Sequence, residues 1–174
     1  MLSGATFKIT DINGLILAQY FPKVFCQSEL EVLLESTRLL FEQTPSKTDE
    51  YRSIDSVFHF GCWRESAKEP FITSDTRTTA ATKWINTNST LFEKANQVFK
   101  ESMPTLHARY ESFELPVRYF GAWANVAVNK LHNNGTTLHQ DAKDYSYGYC
   151  WIIPFGEFTN GAIYIQEVST KICA

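Results

Sequence analysis

Residues 135–168, GTTLHQDAKDYSYGYCWIIPFGEFTNGAIYIQEV, decide how this chain is read. They hold His139 and Asp141 in an H-x-D step, then the apolar run from Gly148 to Phe158, an Asn160-Gly161 turn and the alternating run that starts at Ala162. Strand side chains alternate with period 2, so an imidazole and a carboxylate two residues apart on a strand face the same side. Such a pair offers two of the three protein ligands of a 2-His-1-carboxylate iron site. A glycine-bearing turn precedes the step, which predicts a strand start near a barrel mouth, where small-molecule sites commonly lie. Lys143, Asp144 and Tyr145 then make a polar break that leaves both ligands accessible. The Asn160-Gly161 turn folds the following strands back as a meander, suited to a small β-barrel or jelly roll.

Working outward, the run RYFGAWANVAVNKLH (residues 118–132) reads as strand, and Asn133-Asn134-Gly135 reads as the turn after it. Before Pro104 the character is helical. Phe92, Ala95, Val98 and Phe99 recur on one helical face, and Pro104 lies beyond the expected end. The Thr-rich stretch before them predicts a loop or a separate turn of helix. Leu30, Leu33, Leu34, Thr37, Leu40 and Phe41 mark an earlier helix, with Ser28 and Glu31 as a capping box. Between the helices, SKTDEYRS reads as a solvated loop and Ser56–Trp63 as an apolar strand, with His59 packed inside it. Asn13-Gly14 predicts a hairpin turn between Phe7–Ile9 and Leu15–Tyr20. His107, just past Pro104, is expected at the surface.

Composition limits the function classes. A chain of 174 residues, 44% hydrophobic and 14% aromatic, is long and apolar enough for a packed core. A formal charge of −3 provides no basic field of the kind that dominates nucleic-acid affinity. Cys26, Cys62, Cys150 and Cys173 are scattered beside apolar neighbours with no C-x-x-C pair, which predicts reduced, mostly buried thiols and no zinc spacing. No apolar run approaches the roughly 18 residues of a membrane span, and no export signal is visible. The expectation is an intracellular protein, nuclear or cytoplasmic, with no membrane partner.

Four segments carry a family resemblance: FGAWANVAVN (120–129), HQDAKD (139–144), GYCWIIPFGEFTNG (148–161) and AIYIQEV (162–168). Together they resemble the first half of the double-stranded β-helix of Fe(II)/2-oxoglutarate-dependent dioxygenases, and more narrowly the TET/JBP-like group, in its fungal, transposon-associated form. That group oxidises methylated pyrimidine bases. The resemblance implies Fe(II) and 2-oxoglutarate as cofactors, His139 and Asp141 as iron ligands, and a nucleic acid as partner. The family's distal histidine and its 2-oxoglutarate-binding arginine have no counterpart, since no histidine follows His139 and no arginine follows Arg118. Asn160-Gly161 stands where the family has a glycine pair, and Gln166 where it has a proline. Thirty-three residues follow Asp141, room for about two strands of ordinary length, so the expected fold is C-terminally truncated. His132 and Asp144 are weighed as local substitutes for the third ligand, with His107 a weaker candidate.

The resulting expectation is an α+β chain. Residues 1–115 form a helical α+β support region, and residues 116–174 an incomplete double-stranded β-helix (jelly-roll or cupin-like) lacking its last strands. Two functions follow. One is a fragment or degenerate form of the dioxygenase, inactive by itself, in which Asp144 and Tyr147 face the substrate and Tyr145, Tyr147 and Trp151 are available to stack on an extruded base. The other is a non-catalytic partial barrel that binds or assembles, self-associating through an open sheet edge. A prolyl- or lysyl-hydroxylase-like oxygenase is a lesser alternative.

Overall fold

The structure is a computed structural model, and it describes residues 5–50, 54–64, 67–131, 136–139, 141, 144–145, 147–158, 161–165 and 170–173. It is α+β, as expected. The chain divides into two compact units, Met1–Glu31 with Ile152–Ala174, and Val32–Trp151.

In the first unit, β1 (Phe7–Thr10) and β2 (Ile16–Tyr20) pair antiparallel, with Phe7 opposite Tyr20. The Asn13-Gly14 turn forms as predicted, with Gly14 at φ +82°. Its anchor is Asp11, whose carboxylate accepts from the N–H groups of Leu15 (2.7 Å) and Asn13 (2.9 Å). These bonds, led by the one from Leu15, hold the Asp11 carboxyl below its usual range. β7 (Ala162–Ile165) and β8 (Thr170–Cys173) form a second antiparallel pair, Ala162 opposite Cys173. The strand expected from Ala162 is therefore present.

Helix α1 spans Gln27–Gln43. It begins one residue before the predicted cap, and the reciprocal bond runs from the Cys26 N–H to the Glu29 carboxylate (2.6 Å). Glu29 thus takes the capping role expected of Glu31. Glu31 instead accepts from the Gln27 side chain at 3.1 Å.

The second unit is built on β4 (Ile54–Trp63), flanked by β3 (Lys47–Asp49) and β5 (Phe71–Ile72), and paired with β6 (Asn125–Leu131). β3 corrects the sequence expectation of a plain loop there. The β4–β6 register runs antiparallel, His59 opposite Ala127 and Gly61 opposite Asn125. Backbone hydrogen bonds therefore join residues on both sides of position 115. Phe58, Phe60 and Cys62 are buried, as is Phe120. Gly61 has φ +103°, and a Cβ there would run into the Ala124 carbonyl oxygen and the Phe120 ring. His59 is half-buried, edge-on to Trp63 at 4.5 Å between ring centroids, in agreement with a packed histidine.

The helices cover this sheet's aromatic residues. In α1, Leu33, Thr37 and Leu40 are buried while Leu34 is exposed, so the apolar face is narrower than its sequence spacing. A 3-10 turn (Asp75–Arg77) leads into α2 (Thr79–Thr87), which the Thr78 hydroxyl caps by accepting the Ala81 N–H at 3.0 Å. The Thr-rich stretch is thus a separate helix. Trp84 stacks near Phe60 (5.2 Å) and donates its indole N–H to the buried Thr37 hydroxyl (2.9 Å). Asn88 breaks α2 from α3 (Ser89–Ser102), donating its side-chain amide to the Trp84 carbonyl at 2.8 Å.

Two expectations about Pro104 are corrected. Helical structure does not stop there: Pro104 opens α4 (Pro104–Glu111), because a proline at the first helical position loses no hydrogen bond and has its φ preset. His107 consequently turns inward and is 2% exposed rather than on the surface. Its Nε2 donates to the Asn96 side-chain oxygen (3.1 Å), which also accepts the Ala122 N–H (2.9 Å). Asn96 on α3 thereby ties α4 to the loop that enters β6. Arg118 closes the far end of α4, donating to the carbonyl oxygens of Glu111 (2.9 Å), Tyr110 (3.3 Å) and Phe113.

A jelly roll is not seen, and no closed sheet is found among the described residues. The described residues from Thr136 to Phe158 lie in no strand, in contrast to the strand-like runs TTLHQD (136–141) and YGYCWIIPFGEF (147–158) of the sequence. Part of the reason is local: in the second unit, the Tyr110 hydroxyl accepts the Tyr149 N–H (2.7 Å) and donates to the Tyr149 carbonyl (3.1 Å).

Asn96→Ala should leave the buried His107 ring nitrogen and the Ala122 N–H without their acceptor. An unpaired buried group costs about 1–3 kcal/mol, so urea unfolding should show a loss of that size or more with an unchanged slope. Asn96→Asp, which retains the acceptor oxygen, should lose less.

Candidate functional site

The candidate segment follows β6 and is held by α4. His139 and Asp141 are both exposed and lie outside any strand, so the same-face argument from strand alternation does not apply to them. A different local geometry orients His139. Its Nδ1 lies 2.8 Å from the Thr137 carbonyl oxygen. A carbonyl only accepts, so Nδ1 is the donor in this contact and Nε2 is the ring nitrogen not used in it. Metal-binding imidazoles are commonly oriented in this way, the non-ligating nitrogen donating to a backbone carbonyl.

Asp141 begins a turn, its carbonyl accepting the Asp144 N–H at 3.0 Å. Asp144 thus enters the turn through its own N–H. The next bend is closed by the Gly148 N–H donating to the Tyr145 carbonyl (2.9 Å). Tyr145 packs edge-on against Phe113 (5.5 Å) and Tyr110 (6.1 Å). Tyr147 is 81% exposed and touches only the edge of this cluster, 6.1 Å from Tyr145 between centroids. Trp151 packs on Trp123 (5.9 Å), which stacks on Phe99 (5.0 Å). Of the three aromatics available for base stacking, Tyr145 and Trp151 are therefore engaged in packing, and Tyr147 presents the most open ring.

Among the described residues, no group of three or more His, Cys, Asp and Glu side chains is arranged to hold a metal ion. His139 and Asp141 alone make an incomplete donor set. His107 is excluded as a third ligand by its burial against Asn96 and Glu111. His132 lies outside the described residues, as do Lys143 and the Asn160-Gly161 turn.

Cys150 was not anticipated as part of this site. Desolvation, then the Asp144 carboxylate and more weakly the Asp141 carboxylate, push its thiol above the usual range. The residue keeps an exposed face, so desolvation acts on the sulfur rather than on the whole side chain. Of the three cysteines whose side chains are described, all free thiols, only Cys62 is buried; the expectation of mostly buried cysteines fails for Cys26 and Cys150. Tyr110 is likewise raised, chiefly by burial. Neither residue stands out by spacing, although Tyr110 follows Leu106 at helical spacing.

Comparison with protein-family models, with curated proteins and with solved structures returns no match. Among the described residues, no helix is long and apolar enough to cross a membrane.

A thiol raised by desolvation and by neighbouring carboxylates reacts slowly with alkylating agents, because the thiolate is the nucleophile. Cys150 should therefore alkylate more slowly at pH 7.5 than a cysteine in a short peptide. Asp144→Asn removes one negative charge and should accelerate it. Mass-spectrometric rates at Cys150 between pH 7 and 10 measure both effects; an unchanged rate in the variant would contradict the electrostatic coupling.

Proposed function

We propose that this chain carries part of the iron centre of an Fe(II)/2-oxoglutarate-dependent dioxygenase of the TET/JBP-like type, with His139 and Asp141 as two of its metal ligands. The single observation that supports the reading is the contact between His139 Nδ1 and the Thr137 carbonyl oxygen (2.8 Å), which orients the ring and leaves Nε2 as the nitrogen for a metal, in an exposed loop two residues from Asp141. The sequence segments 120–129, 139–144, 148–161 and 162–168 supply the resemblance to the family. In this reading the third ligand and the arginine that clamps 2-oxoglutarate come from another segment, because no histidine follows His139 and no arginine follows Arg118.

Bound iron would supply oxygen activation for oxidation of a C–H bond. The substrate class is a methylated nucleobase extruded from its stack. Tyr147 would offer the exposed ring on which such a base could stack, and Asp144 a carboxylate to accept from an exocyclic amine. The protein's own contributions are then to orient the imidazole, to hold Asp141 at the head of a turn, and to keep both ligands open to solvent for co-substrate entry.

Anaerobic addition of Fe(II) and 2-oxoglutarate tests this reading. The expected result is weak binding with a metal-to-ligand charge-transfer band at high Fe(II), lost in His139→Ala and in Asp141→Ala. No band in a chain that is folded by circular dichroism would remove the iron reading and favour the non-catalytic binding or assembly module. That alternative draws support from the sheet, where β6 pairs only with β4 among the described residues.

A further inference from the structure

We propose that Asn13, at the tip of the β1–β2 hairpin, is a site of spontaneous deamidation to aspartate and isoaspartate, restrained by Asp11 and opening the turn once it proceeds. The reaction needs an asparagine whose following residue leaves its backbone nitrogen unhindered, and Asn13-Gly14 is such a step. The Gly14 nitrogen attacks the Asn13 side-chain carbonyl carbon and loses its proton to solvent. The Cγ–Nδ2 bond breaks, ammonia leaves, and a cyclic succinimide remains. Water then opens the ring at either carbonyl, giving aspartate, or isoaspartate with the backbone rerouted through the side chain. Nothing is oxidised or reduced, and water is the one co-reactant.

The hairpin both presents this step and restrains it. Asn13 and Gly14 are exposed. Gly14 has φ +82°, and beyond its chain neighbours no atom lies within 4 Å of where its Cβ would be, so nothing crowds the attacking nitrogen. Asp11 engages both reacting nitrogens. Its carbonyl accepts the Gly14 N–H at 3.1 Å, and its carboxylate accepts from the Asn13 side-chain amide at 3.3 Å. A carboxylate only accepts, so Nδ2 is the amide atom that faces it. The bonds from Leu15 and Asn13 that lower the Asp11 carboxyl keep it ionised at neutral pH. Its charge opposes the negative charge that builds on the Gly14 nitrogen and the side-chain oxygen as the ring closes. Ring closure therefore waits for the turn to open, and one or two net hydrogen bonds slow it about tenfold.

Conversion removes the restraint. The new carboxylate at position 13 takes the place of an amide donor 3.3 Å from the Asp11 carboxylate, so an attraction becomes a repulsion. The isoaspartate product also lengthens the backbone between the Asn13 and Leu15 N–H groups, both of which Asp11 binds. Either product loosens the turn beside the last ladder pair, Thr10 opposite Ile16.

Peptide mapping by mass spectrometry of the full chain held at pH 8 tests this, with the same chain unfolded in guanidinium chloride as reference. The other Asn-Gly steps, Asn134-Gly135 and Asn160-Gly161, fall in different tryptic peptides and are scored apart. The expected result is aspartate and isoaspartate at position 13, formed about tenfold more slowly in the folded chain than in the unfolded one. Asp11→Ala should bring the folded rate up to the unfolded rate. Asp11→Asn, which keeps an acceptor oxygen for the Leu15 N–H, should accelerate it by less, and carries the test if Asp11→Ala loses the hairpin. The converted chain should exchange its Leu15 and Asp11 amides faster. Equal folded and unfolded rates, or wild-type rates in both variants, would overturn the restraint by Asp11. Unchanged exchange after conversion would overturn the opening of the turn. An Asn13 that stays intact in the folded chain while the unfolded chain converts fully would overturn the site itself.

Discussion

The antiparallel pairing of β4 with β6 is the constraint on which the second unit depends. It spans Ile54 opposite Leu131 to Gly61 opposite Asn125 and joins parts of the chain some sixty to eighty residues apart. The pairing places Phe58 and Phe60 beneath the helices and brings the chain through Phe120, whose ring lies edge-on to Phe92 at 4.8 Å. Gly61 allows the closest approach, because any side chain there would collide with the Ala124 carbonyl. Hydrophobic burial drives this arrangement and also chooses the register. The register follows from which strand positions are apolar, since a shift by one residue would turn Phe58 and Phe60 away from the core.

Polar anchors then carry the chain from that sheet toward the candidate site. Asn96 accepts from both His107 and Ala122, and Arg118 gathers the carbonyl groups at the end of α4. Each of these bonds satisfies a buried or helix-terminal group that would otherwise be costly to leave unpaired. They hold α4 so that Tyr110 faces the irregular segment after Asp141. That segment has turns in place of strands, and its backbone demands are met by Asp141, Tyr145 and the Tyr110 hydroxyl.

Much of this was legible in the sequence where the signal is local. Asn13-Gly14 gave its hairpin, the Leu33–Thr37–Leu40 spacing gave α1, and the runs read as strand at 56–63, 118–132 and 162–168 contain β4 from Ser56 on, β6 (which starts only at Asn125) and β7. The failures arise where distant partners decide. Pro104 looks like a helix stop but serves as a helix start, because the two roles share the same residue preference. His107 looks exposed until Asn96 is brought next to it. The run 148–158 is apolar and rich in β-formers, yet a strand needs a neighbour, and at Tyr149 the hydroxyl of Tyr110 takes the bonds. At the site, sequence picked out His139 and Asp141 by residue type, but assumed a strand to align them. What orients the imidazole is a carbonyl two residues back, a feature with no signature in residue identity.

The account's central claim is that His139 is held as a metal-ready ligand, and long-range proton–nitrogen NMR of the four imidazole rings, with and without Zn(II) as a diamagnetic probe, tests it most directly. The account predicts Nδ1–H and an unprotonated Nε2 for His139 in the metal-free protein, a Zn(II)-induced shift at that Nε2 that Asp141→Ala abolishes, and a buried His107 ring that does not respond. A His139 ring protonated at Nε2 and indifferent to Zn(II) would contradict it.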